Sequence, residues 1–427
     1  MIVTVPGDKS ITQRALMLAA IADGASRLRG LLPGADPVST AGAVRALGAD
    51  VPMLPTDGHE IVITGRGLRG LSAPSGPLDL GNSGTGTRLL MGVLAGQPFK
   101  ARMIGDESLS SRPMGRVTGP LAQMGARFRF LDKPDRLPLE IEGGRLAALT
   151  YALPVASAQI KSALLLAGIA GRVPVLLTEP GRSRDHTERM LTALGAHVHS
   201  GIANSSDLWR VELRDPPERL DPLDLAVPGD LSSAAFLIVL ALLGGAGPQL
   251  TVRGIGLNPT RTGVLPVLER MGARLRIDLE PDQAGEPVGA ITASPTVLNA
   301  VAIGAADVVA AIDEIPILAA AAARAEGTTR ITGAEELRVK ETDRIKAVAE
   351  NLRAIGVEAE ELPDGLEIEG TDRPLAGEVD AFGDHRIAMA FGVLGALRGN
   401  DVRVRGREVV DVSFPDFWTR LAELSAR

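Results

Sequence analysis

Residues 86–130 read GTRLLMGVLAGQPFKARMIGDESLSSRPMGRVTGPLAQMGARFRF. An apolar, leucine-rich run stops at Gly96, a strand pattern follows, and an amphipathic run then ends in Met124-Gly125-Ala126 before the alternation Arg127-Phe128-Arg129-Phe130. The same succession recurs along the whole chain with a period of about 75 residues, and a period of that kind defines an architecture before any single element does. Apolar runs cover residues 13–23, 86–95, 159–170, 232–243, 316–326 and 385–398. They are followed by Gly24, Gly96, Gly171, Gly244, Gly327 and Gly399, read as left-handed helix ends. Amphipathic runs end in Leu47-Gly48-Ala49, Met124-Gly125-Ala126, Leu194-Gly195-Ala196, Met271-Gly272-Ala273 and Ile355-Gly356-Val357, with a shortened last copy at 417–424. Apolar helices alternating with short strands predict an α/β fold of six units.

Three units per domain is the symmetrical division. Ala226-Val227-Pro228-Gly229-Asp230 repeats Thr4-Val5-Pro6-Gly7-Asp8 almost residue for residue, as two chain crossings between domains would. The reading assigns residues 8–228 to one domain, and 1–7 with 229–427 to the other. A continuous solenoid is the competing arrangement, and the repeated crossing argues against it.

Composition bounds the function. A chain of 427 residues exceeds the roughly 250 to 300 at which single cores stop growing. With 45% hydrophobic and 23% charged residues it has the makings of a globular protein. Aromatics at 3% leave no stacking platform for bases, and a net charge of -7 opposes nonspecific attraction to nucleic acid or anionic membranes. The absence of cysteine excludes disulfides and thiolate metal sites and fits the cytoplasm. The N-terminus lacks a signal-peptide pattern, and no apolar run approaches the roughly 20 residues of a membrane span.

Polar and charged residues gather where these helices begin, and helix starts offer unpaired N–H groups and partial positive charge to anions. Pro6-Gly7-Asp8-Lys9-Ser10-Ile11-Thr12-Gln13-Arg14 opens the first. Leu80-Gly81-Asn82-Ser83-Gly84-Thr85-Gly86-Thr87-Arg88 opens the second; it lacks the P-loop ending, so nucleotide binding does not follow, and a tight structural turn explains its glycines nearly as well. Arg112 stands beside another helix start. Ser157-Ala158-Gln159-Ile160-Lys161 and Ser183-Arg184-Asp185-His186 add hydroxyl, amide and cationic donors, with helix capping an alternative use for both serines. Asp313-Glu314 precede an apolar helix. The run 338–344 reads as the opening of a helix with Lys340 and Arg344 on one face and Glu341 beside them. Gly383-Asp384-His385-Arg386 starts a helix that is otherwise apolar, where Asp384 also suits an N-cap.

Together, Pro-Gly-Asp-Lys-Ser (6–10), Gly-Asn-Ser-Gly-Thr (81–85), Lys-Glu-Thr-Asp-Arg (340–344) and Asp-His-Arg (384–386) resemble, in order and spacing, the signature of the 5-enolpyruvylshikimate-3-phosphate synthases. The resemblance covers essentially the whole chain. It implies two domains, each of three βαβαββ units, with an active site in the interdomain cleft. It implies transfer of the enolpyruvyl group of phosphoenolpyruvate to the 5-hydroxyl of shikimate-3-phosphate by addition and elimination, with no metal or organic cofactor. It also implies a monomeric cytoplasmic enzyme with no nucleic-acid or membrane partner. Carried over by position, Lys9, Ser10, Arg14, Ser157, Gln159, Arg184, Asp313 and Lys340 fall on the shikimate-3-phosphate side. Lys9, Gly84, Arg112, Gln159, Arg344 and Arg386 fall on the phosphoenolpyruvate side. Asp313 is the expected base for the hydroxyl, and Glu341 with Lys9 is expected to serve proton transfer at the enolpyruvyl carbon and the leaving phosphate.

The chain departs from the family pattern in three places. It lacks residues that commonly precede Pro6, so a short first strand is expected; Val412-Ser413 stand where some relatives carry a lysine; and Gln13 replaces a histidine or asparagine. A UDP-sugar enolpyruvyl transferase usually needs a cysteine, which this chain lacks, and RNA 3'-phosphate cyclase needs a histidine nucleophile with no evident counterpart. A non-catalytic phosphometabolite-binding protein would have no use for Asp313 and Glu341 beside an anion.

Overall fold

The six apolar runs form helices Lys9–Ile21, Gly84–Ala95, Ala158–Gly171, Leu231–Leu242, Ile315–Ala322 and His385–Gly395 in the computed structural model, which describes residues 1–203 and 208–426. Every residue of Leu231–Leu242 and Ile315–Ala322 is buried, as expected of helices apolar on all sides. The first two begin earlier than periodicity predicts, because capping extends them. Asp8 accepts a hydrogen bond from Ile11 N, and Ser83 accepts one from Gly86 N, each cap contributing about 1 kcal/mol. The polar motifs thereby become first helical turns. The fifth and sixth helices stop short of the predicted ends at 326 and 398.

Between them lie the amphipathic helices Ala35–Ala46, Gly115–Met124, His186–Ala193, Val264–Arg270, Arg344–Ala354 and Phe417–Ser425. Gly24, Gly244, Gly327 and Gly399 adopt positive φ, but Gly96 has φ -84° and Gly171 remains helical, with Arg172 taking the left-handed position at φ 54°. Packing explains these two. A Cβ on Gly96 would come within 2.6 Å of Ala170 and one on Gly171 within 2.8 Å of the Leu146 side chain; with a Cβ on Gly92 only 2.1 Å from the Ala163 carbonyl oxygen, helices Gly84–Ala95 and Ala158–Gly171 touch backbone to backbone.

Each unit contributes a small sheet with a parallel pair at one edge. Leu78–Asp79 pairs in parallel with Lys100–Ile104, Leu149–Ala152 with Val175–Glu179, Ala302–Ile303 with Thr328–Ile331, and Ala376–Asp380 with Asp401–Arg405. In these four the apolar helix forms the crossover. The other two exchange strands. Ile2–Val3 pairs in parallel with Leu250–Gly256, and Asp224–Ala226 with Ala25–Arg29, so the strand before each repeated Val-Pro-Gly-Asp pairs with the strand beyond the other copy.

The chain divides into two compact units: Gly7–Val227 with Asp282–Glu286, and Met1–Pro6 with Pro228–Pro281 and Pro287–Arg427. Each has its own aliphatic core. The turn Asp282–Glu286, expected in the second domain, packs instead with residues 7–227, where Glu286 Oε1 lies 2.7 Å from His186 Nδ1 and Arg189 donates to the Gly285 carbonyl. Among the described residues, no helix is long and apolar enough to cross a membrane.

Candidate functional site

In the unit built on residues 7–227, the singled-out groups stand at the starts of helices Lys9–Ile21, Gly84–Ala95 and Ala158–Gly171. Lys9 Nζ donates to Asp36 Oδ2 at 3.0 Å, a partner from the next helix that no sequence pattern signals. Gln13 donates to Ser83 and Thr40, joining the first helix start to the second.

Around Gly84 the structure brings together Arg112, Gln159 and Arg88. Arg112 Nη2 donates to Asn82 Oδ1 and Ser108 Oγ, at 2.6 and 3.1 Å. Arg88 donates to Gln159 Oε1 at 3.0 Å and to the Pro113 carbonyl at 3.1 Å, while Gln159 Nε2 donates to Thr85 Oγ1. Burial, with Arg116 and Arg112 nearby, lowers the Arg88 guanidinium to about 10, so it stays cationic at neutral pH. Sequence reading passed over Arg88, although its place one turn beyond Gly84 on the same helix could have marked it. A Cβ at position 84 would stand 2.9 Å from Arg88 Nη1 and 3.3 Å from Arg112 Nη1, so glycine leaves room for both guanidinium groups. Both obstacles are ends of flexible side chains. Gly84→Ala should therefore unfold within a few degrees of wild type but displace the guanidinium groups, and steady-state kinetics should show a raised KM for the ligand they hold.

Arg14 lies buried beside Ser10, Ser162 and Thr187. Arg184 is close enough to act on its charge. Neither serine offered for capping serves that purpose: the Ser157 side chain makes no cap bond, and Ser183 lies two residues before Asp185, which occupies the N-cap position of His186–Ala193. Ser183 instead donates to Glu179 Oε2 at 2.7 Å.

In the other unit, Lys340 and Glu341 do not share a helix with Arg344. A 3-10 turn ends at Val339, and helix Arg344–Ala354 starts only after Asp343, whose side chain accepts from Lys346 N. The cap breaks the helix predicted across 338–344. Lys340 pairs with Glu336 at 3.0 Å, and Arg338 with Asp343 and Glu361 at 2.8 Å. Arg344 is fully buried and donates to Asp384 through Nε and Nη2, and to Glu341 Oε2 at 2.8 Å. Burial opposes its charge, but Asp384, Glu341 and Asp313 outweigh that and raise its pKa further. Its Nη1 makes no hydrogen bond among the described residues and lies 3.5 Å from Asp313 Oδ1.

Asp313 sits among three guanidinium groups, 3.6 Å from Arg261 Nη1 and 3.8 Å from Arg386 Nη2 as well, while Arg386 donates to its carbonyl. Asp384 caps helix His385–Gly395 by accepting from Arg386 N, and it also binds Arg344. Arg261 went unnoticed in sequence; it reaches Asp230 and Ser232, and Ser232 donates to Glu314. Each unit thus presents preorganised cations with hydroxyl or carboxylate neighbours, suited to holding phosphate and carboxylate groups. Among the described residues, no group of three or more histidine and acidic side chains is placed to hold a metal ion.

Residues 1–421 match the family model for EPSP synthase (3-phosphoshikimate 1-carboxyvinyltransferase). The chain is 49% identical over 424 residues to a 3-phosphoshikimate 1-carboxyvinyltransferase from Solibacter usitatus, covering 99% of this chain and 96% of that one. It is 46% identical to the enzyme of the same name from Geobacter metallireducens, covering 100% and 96%. A solved EPSP synthase from Acinetobacter baumannii superposes with a TM-score of 0.86 at 41% identity, covering 100% of this chain and 95% of the other. The enolpyruvyl transferase NikO from Streptomyces tendae shares the fold, with a TM-score of 0.74 at 21% identity over 99% and 94% of the two chains.

Proposed function

The chain belongs to the EPSP synthase family, and from that premise we propose how its residues divide the work. Its activity is transfer of a 1-carboxyvinyl group to 3-phosphoshikimate, in the shikimate pathway to aromatic amino acids. We assign phosphoenolpyruvate as donor and the 5-hydroxyl as acceptor. The hydroxyl oxygen adds to C2 while C3 gains a proton; the C2 to phosphate oxygen bond then breaks, phosphate leaves, and loss of a C3 proton restores the double bond. Electrons balance without an oxidant or reductant.

In this reading Gly84, Arg112, Gln159, Arg344, Arg386 and Lys9 hold phosphoenolpyruvate, and Arg88 joins them. Ser10, Arg14, Ser157, Gln159, Arg184 and Lys340, with Lys9 and Asp313, hold 3-phosphoshikimate. Asp313 takes the hydroxyl proton, and Glu341 with Lys9 serves C3 and the departing phosphate. Arginine suits both anionic groups because its planar fork binds carboxylate or phosphate through two parallel bonds. The observation that carries the reading is the cluster at Asp313: a carboxylate held within 4 Å of three guanidinium groups, one of which, Arg344, has a buried Nη1 that makes no hydrogen bond among the described residues. A monomer acting in the cytoplasm completes the proposal.

The test is phosphate release from purified protein. Release should require phosphoenolpyruvate and 3-phosphoshikimate together and stop when either is omitted. Release from phosphoenolpyruvate alone, or with a UDP-sugar in place of 3-phosphoshikimate, would overturn the assignment. Asp313→Ala should lose turnover far beyond any loss of 3-phosphoshikimate affinity measured by calorimetry; unchanged turnover would remove Asp313 as the base.

A further inference from the structure

Arg14 is buried, yet its hydrogen bonds among the described residues all end on neutral oxygens. Nε donates to Thr187 Oγ1 at 2.8 Å and Nη2 to Ser162 Oγ at 3.0 Å, while Nη1 donates to the Ser10 hydroxyl and carbonyl oxygens at 2.6 and 3.0 Å. Thr187 in turn donates to Ser162 Oγ at 2.7 Å. The two hydroxyls present a fork of acceptors to the guanidinium, where a buried arginine would ordinarily meet a carboxylate.

Carboxylates stand close by, but another cation holds them. Lys161 is fully buried, and its Nζ lies 2.8 Å from both Glu179 Oε1 and Glu188 Oε1. It also donates to the Ser183 carbonyl, while Glu179 accepts from Ser183 N–H and hydroxyl. Ser162 follows Lys161 in helix Ala158–Gly171, and Thr187 precedes Glu188 in helix His186–Ala193. Adjacent residues on each helix therefore play opposite parts: 161 and 188 form an ion pair, and 162 and 187 form an uncharged clamp.

We propose that Thr187 is a positioning residue for 3-phosphoshikimate: with Ser162 it aims Arg14 through neutral contacts that leave the guanidinium charge to the anionic substrate, while Lys161 keeps Glu179 and Glu188 from claiming it. A carboxylate in place of the hydroxyls would compete with the substrate for the same charge. Burial lowers Arg14 to about 10, against the raising influence of Asp8 and Glu188, so the group remains cationic at neutral pH. The inference rests on the reading of Arg14 as a ligand of 3-phosphoshikimate.

The experiment compares Thr187→Val, Thr187→Ser and Arg14→Gln, measuring KM for each substrate at saturation of the other. Valine keeps the shape and removes the acceptor; serine keeps the hydroxyl. Thr187→Val should raise KM for 3-phosphoshikimate about tenfold, the scale of one lost hydrogen bond to a charged group, and leave KM for phosphoenolpyruvate within about twofold. Thr187→Ser should restore both values. Should the valine variant fail to fold, Ser162→Ala removes the other half of the clamp and is expected to split the two KM values in the same direction. Equal rises in both KM values, no rise, or failure of serine to rescue would each overturn the proposal. If Arg14→Gln raises KM for 3-phosphoshikimate and Thr187→Val does not, the positioning role fails and the Arg14 assignment stands. If Arg14→Gln leaves that KM unchanged, the assignment fails and the proposal with it.

Discussion

Glu341→Gln should lower kcat by roughly 100-fold or more while leaving the binding of both substrates nearly intact. Removing a general acid or base costs about that factor, because the proton must then move without a positioned group. The structure sharpens the expectation. Glu341 is only partly buried and its carboxylate accepts from Arg344 Nη2 at 2.8 Å, a bond that the glutamine oxygen can still accept. Geometry and Arg344 should therefore survive the substitution, and only the exchangeable proton is lost. Were Glu341 merely one half of a surface ion pair, its replacement would cost at most about 1 kcal/mol of stability and nothing in turnover. Steady-state kinetics joined to calorimetric titration of each substrate separates the outcomes, and near-wild-type turnover would remove Glu341 from the chemistry.

Arg344 should respond differently. Its guanidinium satisfies Asp384, a carboxylate with no exposed surface, through Nε and Nη2. Arg344→Met leaves that carboxylate buried beside an apolar chain, and breaking a buried pair from one side costs about 3 to 5 kcal/mol. A clear fall in the denaturation midpoint is expected, and an unchanged midpoint would mean that Asp384 finds another partner. Arg344→Lys retains the charge but not the planar fork, and a single ammonium cannot serve Asp384, Glu341 and a ligand together. Affinity for phosphoenolpyruvate should fall far more than affinity for 3-phosphoshikimate, and equal losses would count against Arg344 as a phosphoenolpyruvate ligand. The two arginine variants thus distinguish the structural share of this residue from its ligand-binding share.

Much of this architecture was legible in the sequence for a physical reason: apolar periodicity and helix-stopping glycines are local signals, and six repetitions make them hard to mistake. The motifs at 6–10, 81–85, 340–344 and 384–386 were legible too, because helix starts and their capping residues are encoded within a few neighbours. What the sequence determined was therefore the α/β class, the repeated helices, and the motifs from which the candidate ligands are drawn.

Tertiary structure decided what lies between elements. The exchange of Ile2–Val3 and Asp224–Ala226 between sheets depends on strands 249 and 197 residues apart, which no local pattern links. The glycines at 96 and 171 look like helix caps because glycine serves both a left-handed turn and close packing, and only the packed neighbour, Ala170 for one and Leu146 for the other, shows which use applies. Lys340 and Arg344 look like neighbours on one helix in the sequence, but the Asp343 cap starts the helix at Arg344 and leaves Lys340 outside it. Asp36 against Lys9, Arg261 against Asp313, and the Thr187 and Ser162 hydroxyls against Arg14 arise only where separate elements converge. Sequence names the charges a chain carries; burial and the choice of partner, which set what each charge is free to bind, belong to the folded chain.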